Sequence, residues 1–235
     1  FDRMLVYDPD NALAHYHRGR VLADLGQHRD AVLAFERTLA LRPEYHDAQM
    51  RMGLSLSQTG RFNEAAASFD KVLSASPRNF HAQYQKGLAL SSLNQYSEAI
   101  EAFDAAIAVK NDFGDAWLQK GQLLSVLGMN DRAVEAYASA GDYLPNSSAA
   151  FFGKGTAHFE TENYPDAIQA FDKVIHITPE SAPAWYMKGK ALSGTGNYPE
   201  ALDAFKKALE IDPEARTAWA ETGLSGNIRT NTRPS

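Results

Sequence analysis

Apolar residues along this chain recur at helical spacing, as in Ala31, Leu33, Ala34, Leu39 and Leu41. The stretch stops at Pro43, which lacks an N–H and disfavours helical geometry in the residue before it. The same pattern then returns at a fixed interval. Gly19, Gly53, Gly87, Gly121, Gly155, Gly189 and Gly223 are each 34 residues apart. Alanine keeps that interval at Ala31, Ala65, Ala99, Ala133, Ala167 and Ala201, and an aromatic at Phe35, Phe69, Phe103, Tyr137, Phe171 and Phe205. Proline keeps it at Pro9, Pro43, Pro77, Pro145, Pro179 and Pro213, with Asn111 the exception. Leucine holds Leu22, Leu56, Leu90, Leu124 and Leu192, with His158 in the remaining slot. Each period predicts two helices. Gly26, Gly60, Gly128 and Gly196 suit a left-handed turn between them, and Pro165 and Pro199 suit the first turn of a second helix.

In this order the Trp, Leu, Gly, Tyr, Ala, Phe, Ala and Pro positions resemble the tetratricopeptide repeat, most clearly from Ala184-Trp185 through Gly189 and Leu192 to Ala201, Phe205, Ala208 and Pro213. The resemblance implies an all-α fold, a right-handed α-solenoid or superhelix of stacked helix-turn-helix units. In phase, the complete units are 12–45, 46–79, 80–113, 114–147, 148–181 and 182–215. Residues 1–11 match the second half of a preceding second helix. Residues 216–224 match the start of a seventh unit and act as a cap, and 225–235 read as a polar tail. A unit of this size cannot bury its apolar side alone, so stacking supplies the core.

Composition narrows the chemistry. The 235 residues carry no cysteine, which removes disulfides, thiolate metal sites and thiol nucleophiles. A net charge of −6 argues against a nucleic-acid partner, which needs concentrated Lys and Arg. No apolar run reaches the roughly 18 residues a membrane span needs. The seven histidines form no H-E-x-x-H pair, and neither a P-loop nor a G-x-S-x-G elbow occurs. The expectation is a protein that is not an enzyme and uses no cofactor or metal. The chain begins at Phe1 rather than Met, which reads as a start inside a longer protein.

In the family the first helix of each pair lines the concave side. Carried over by position, that surface holds Tyr16, Arg20, Met50, Arg51, Tyr84, Gln85, Leu118, Gln119, Gln122, Phe152, Gly153, Phe159, Tyr186 and Lys190. It mixes aromatic and sulfur-bearing side chains with amides and little net charge, which suits a peptide or protein partner. The aromatic row Tyr16, Tyr84, Phe152 and Tyr186 also has a packing role, against the next unit. The Lys and Asn clamp by which some members hold a terminal carboxylate is absent. Lys86, Lys120, Lys154 and Lys188 read as side chains snorkelling from half-buried stems.

Units four and five depart from the pattern. Gly141 replaces the usual leucine, and Glu162 takes the turn-glycine slot. Gly153 predicts a hollow flanked by Phe152, Phe159, Leu118 and Tyr186, either a seat for a partner's apolar anchor or ordinary drift of one repeat. Two other roles are compatible with the sequence. One is the recognition arm of a larger enzyme. The other is end-to-end self-association through apolar residues such as Phe1, Met4 and Leu5.

Overall fold

The computed structural model describes residues 2–214, so the proposed cap and tail at 216–235 lie outside the described residues. Those residues are helical, with no strand among them. A short α1 (Asp2–Tyr7) precedes six hairpins: α2 (Ala12–Asp24) with α3 (His28–Leu41), α4 (His46–Gln58) with α5 (Phe62–Ala75), and α6 (Phe80–Ser92) with α7 (Tyr96–Val109). Then follow α8 (Gly114–Val126) with α9 (Asn130–Tyr143), α10 (Ser148–Glu160) with α11 (Tyr164–Ile177), and α12 (Ala182–Gly194) with α13 (Tyr198–Ile211). The chain packs as two compact units, one up to Leu123 and one from Leu124. Within each, successive helices from α2 to α7 and from α9 to α13 pack against one another, the arrangement of an α-solenoid.

The repeated residues explain the hairpins. Asn11, Asn79, Ser147 and Ser181 cap first helices by accepting the backbone N–H of the third residue on, at 2.9 Å for Ala14 and 3.0 Å for Ala82. The turn glycines 26, 60, 128 and 196 take φ of +71° to +79°. Asn94 and Glu162 occupy the same turn at φ +59°. Asn tolerates that region, whereas Glu162 holds it with a Cβ that favours other backbone shapes.

Each hairpin closes on a ring laid against a bare backbone. Phe35, Phe69, Phe103 and Phe171 are fully buried. Their Cε1 atoms lie 2.5–2.7 Å from where a Cβ would stand on Gly19, Gly53, Gly87 and Gly155. Any side chain there would drive the helices apart. Around these contacts the core gathers into clusters, one of Tyr16, Ala31, Phe35 and Ala48, one with Leu56, Ala65 and Phe69, and one of Ala167, Phe171 and Ala191.

Candidate partner-binding surface

In the amino-terminal unit the surface starts from Tyr16 on α2, which is buried. Its hydroxyl donates to the Asp47 carboxylate, and Arg51 Nε donates to the same hydroxyl at 3.1 Å and to Asp47 Oδ2 at 3.3 Å. The Arg20 guanidinium sits 5.8 Å from the centre of the Tyr16 ring. Tyr16 is thus a packed ring whose hydroxyl joins Arg51 to Asp47, with Arg20 over its face. Met50 and Leu54 on α4 are half-buried against the core of Leu56 and Phe69, with part of each left open. Tyr84 on α6 packs its ring 5.7 Å from Phe103 and 4.9 Å from Phe113. Burial pushes its phenol pKa up, with the nearby Asp115 carboxylate adding to the effect, so it stays a neutral donor. Gln85, Leu118 and Gln119 are half-buried and Gln122 is exposed. None of the three amides has a hydrogen-bond partner among the described residues.

In the carboxy-terminal unit Phe152 and Phe159 on α10 are half-buried, while Tyr186 on α12 is buried against Phe205 at 5.7 Å. Lys190 lays its ammonium 4.8 Å from the Phe159 ring centre and 6.0 Å from that of Tyr186. Gly153 corrects the sequence reading. The predicted hollow is filled by the Tyr137 ring, whose Cζ lies 2.4 Å from where a Cβ of residue 153 would be. Tyr137 is buried and accepts a hydrogen bond from Ser125 Oγ at 3.4 Å. The other irregularity is its mirror image: the Phe151 ring approaches the bare backbone of Gly141, its Cε1 3.0 Å from a notional Cβ. Both glycines are holes already occupied by a neighbouring ring.

The lysines also do more than snorkel. Lys86 pairs with Asp70, Lys120 with Asp104 and Lys188 with Asp172, each at 2.6 Å and each reaching the second helix of the preceding hairpin. The signal was present in the sequence as an Asp 16 residues before the Lys, repeated at the common interval. A second series repeats at the same interval: Trp117 and Trp185 donate Nε1–H to the carbonyl six residues back at 2.8 and 2.9 Å. His15 Nε2 makes the equivalent contact with the Pro9 carbonyl at 2.8 Å. No group of three or more His, Asp or Glu among the described residues could hold a metal ion. No described helix is long and apolar enough to cross a membrane.

Family models for the tetratricopeptide repeat match residues 1–46, 16–80, 50–113, 118–182 and 182–214. The chain belongs to the tetratricopeptide-repeat family. Tetratricopeptide-repeat proteins are in general interaction scaffolds rather than catalysts. Among solved structures, the chain is similar to MamA, at 24% identity and TM-score 0.69 over 74% of this chain and 96% of that one. It is similar to YrrB, described as a TPR protein with an unusual peptide-binding site, at 24% identity and TM-score 0.69 over 80% and 97%. It also resembles the C-terminal part of a TPR repeat-containing protein from Cytophaga hutchinsonii, at 16% identity and TM-score 0.75 over 88% and 81%. At these identities the likeness is one of fold. A search of curated proteins gave no match.

Proposed function

We propose that the chain is a non-catalytic scaffold that binds an extended peptide segment of a partner protein along its first-helix surfaces. The observation that carries this reading is the pair Gln85 and Gln119, which stand at the same repeat position on α6 and α8 with their amides unpaired among the described residues. A side-chain amide both donates and accepts, so two of them can satisfy the main-chain groups of an extended peptide without reading its sequence. The half-open Met50, Leu54, Tyr84 and Leu118 supply apolar contact around them. YrrB, a TPR protein described as having an unusual peptide-binding site, points the same way.

Selection of random dodecapeptides on the immobilised chain, followed by fluorescence anisotropy, tests the reading. Leu54→Glu and the double substitution Gln85→Ala with Gln119→Ala are each expected to weaken the selected peptides by roughly tenfold or more, the loss of one or two good contacts. Unchanged affinity on both variants would overturn it. We also propose end-to-end self-association, because Val6 and Tyr7 on α1 are 77% and 90% exposed. Sedimentation across a concentration series tests that separately, and a constant monomer mass sinks it.

A further inference from the structure

Four lysines share one place in the repeat, and one of them has lost its company. Lys86, Lys120 and Lys188 each meet an aspartate at 2.6 Å. Lys120 and Lys188 also lie over the indoles of Trp117 and Trp185, at 5.0 and 5.4 Å. Lys154 on α10 is the fourth. The residue that should face it from α9, in the place of Asp70, Asp104 and Asp172, is Ala138. The residue in the tryptophan position is Phe151, whose ring is engaged with Gly141. Lys154 is half-buried, and among the described residues it has neither an ion pair nor a ring beneath its ammonium.

The surroundings change in the same sense. Among α5, α6 and α7 a cavity of about 420 Å³ is lined by Asp70, Lys86, Leu90, Glu98 and Glu101 among others. The corresponding positions two repeats later are Ala138, Lys154, His158, Asp166 and Gln169. Three carboxylates facing one lysine have become one. Ala138 brings no carboxylate to that place and is itself only half-buried. A half-buried cation that has lost its paired carboxylate gains most from one brought to that place.

We propose that Lys154 is the docking point for a single acidic side chain of a partner protein. That side chain enters over Ala138, between α9 and α10, and completes the ion pair that the chain's own aspartates complete at the equivalent positions. The exposed Glu135 and Asp142, one turn either side of Ala138 on α9, repel a run of acids. The ligand is therefore one Asp or Glu set among neutral residues. The proposal does not depend on Gln85 and Gln119.

Ala138→Asp supplies the missing acid internally, using a residue that three other repeats carry at that position. Random dodecapeptides are selected on the unaltered chain, and those that also bind Ala138→Asp are subtracted. The survivors are expected to share one Asp or Glu. Its replacement by the amide should weaken binding roughly tenfold, and Lys154→Gln in the protein should do the same, as for loss of one charge-assisted hydrogen bond. Leu54→Glu should leave these peptides untouched. No survivors, or survivors that bind Lys154→Gln as tightly as the unaltered chain, would overturn the proposal. Peptides lost on Leu54→Glu but kept on Lys154→Gln would overturn it and leave the peptide-scaffold reading standing. Dimerisation abolished by Ala138→Asp would assign the place to a second copy and overturn the partner assignment. If Ala138→Asp fails to reach the melting midpoint of the unaltered chain, Lys154→Gln decides alone.

Discussion

Two contacts between successive hairpins in the carboxy-terminal unit solve the same problem differently. Between α11 and α12, Lys188 pairs with Asp172 at 2.6 Å and Trp185 donates to the Pro179 carbonyl at 2.9 Å. Between α9 and α10 both ties are missing, and two rings fill two glycine gaps, Tyr137 at Gly153 and Phe151 at Gly141. The first contact adds directional polar ties to a ring on glycine, Tyr164 against Gly194, and the second rests on rings in glycine gaps alone. A junction closed by shape leaves its lysine unpaired, and chemistry released from holding the fold is free to meet something else.

The largest test of this contrast removes a ring. Tyr137→Ala should cost about 3–5 kcal/mol in urea unfolding, as for other buried aromatic truncations. Gly153→Ala, which forces a methyl group into the same ring, should cost about 1–3 kcal/mol. The double substitution should cost less than the two single costs added together, because the methyl then enters space the ring has vacated. Additivity would show that the two positions do not share one gap.

At the polar junction the effects are smaller. Trp185→Phe should lose about 1 kcal/mol, one hydrogen bond's net worth. Asp172→Ala should lose below about 1 kcal/mol, since that carboxylate is 49% exposed. Ala138→Asp should gain a similar amount at the shape-closed junction, and a loss there would break the equivalence of the two places.

The smallest effect concerns pH. Burial holds the His158 imidazole pKa below its ordinary value, Lys154 adds to the lowering, and Asp166 opposes both. The folded chain therefore binds fewer protons at this ring than the unfolded one, so stability falls as pH drops through about 6.5. His158→Leu, which restores the leucine of the other repeats, should make the melting midpoint less sensitive between pH 7 and 5. An unchanged slope would remove His158 from the account.

Most of the scaffold was legible because each of its causes is a local residue type at a fixed interval. Glycine marks the ring contact, proline the helix end, and a second glycine the turn. The surface was less legible. Tyr16 and Tyr186 fall on the expected face yet are 4% and 6% exposed, because a position in the repeat states direction and not how deeply a neighbour packs. Gly153 misled for a related reason. An absent side chain reads as space, and only the position of Tyr137, on a different hairpin, shows that the space is used. The lysine–aspartate series lay in plain view, but its members belong to adjoining repeats and surface only when positions 16 apart are compared.

The short reach of the ring contacts bears on how the chain is made. Gly19 and Phe35 are 16 residues apart, as are Gly53 and Phe69, Gly87 and Phe103, and Gly155 and Phe171. Closing such a loop costs little entropy and waits for nothing far downstream. Each hairpin can take shape on the ribosome as soon as its second helix has cleared the exit, with its predecessor already in place as a template.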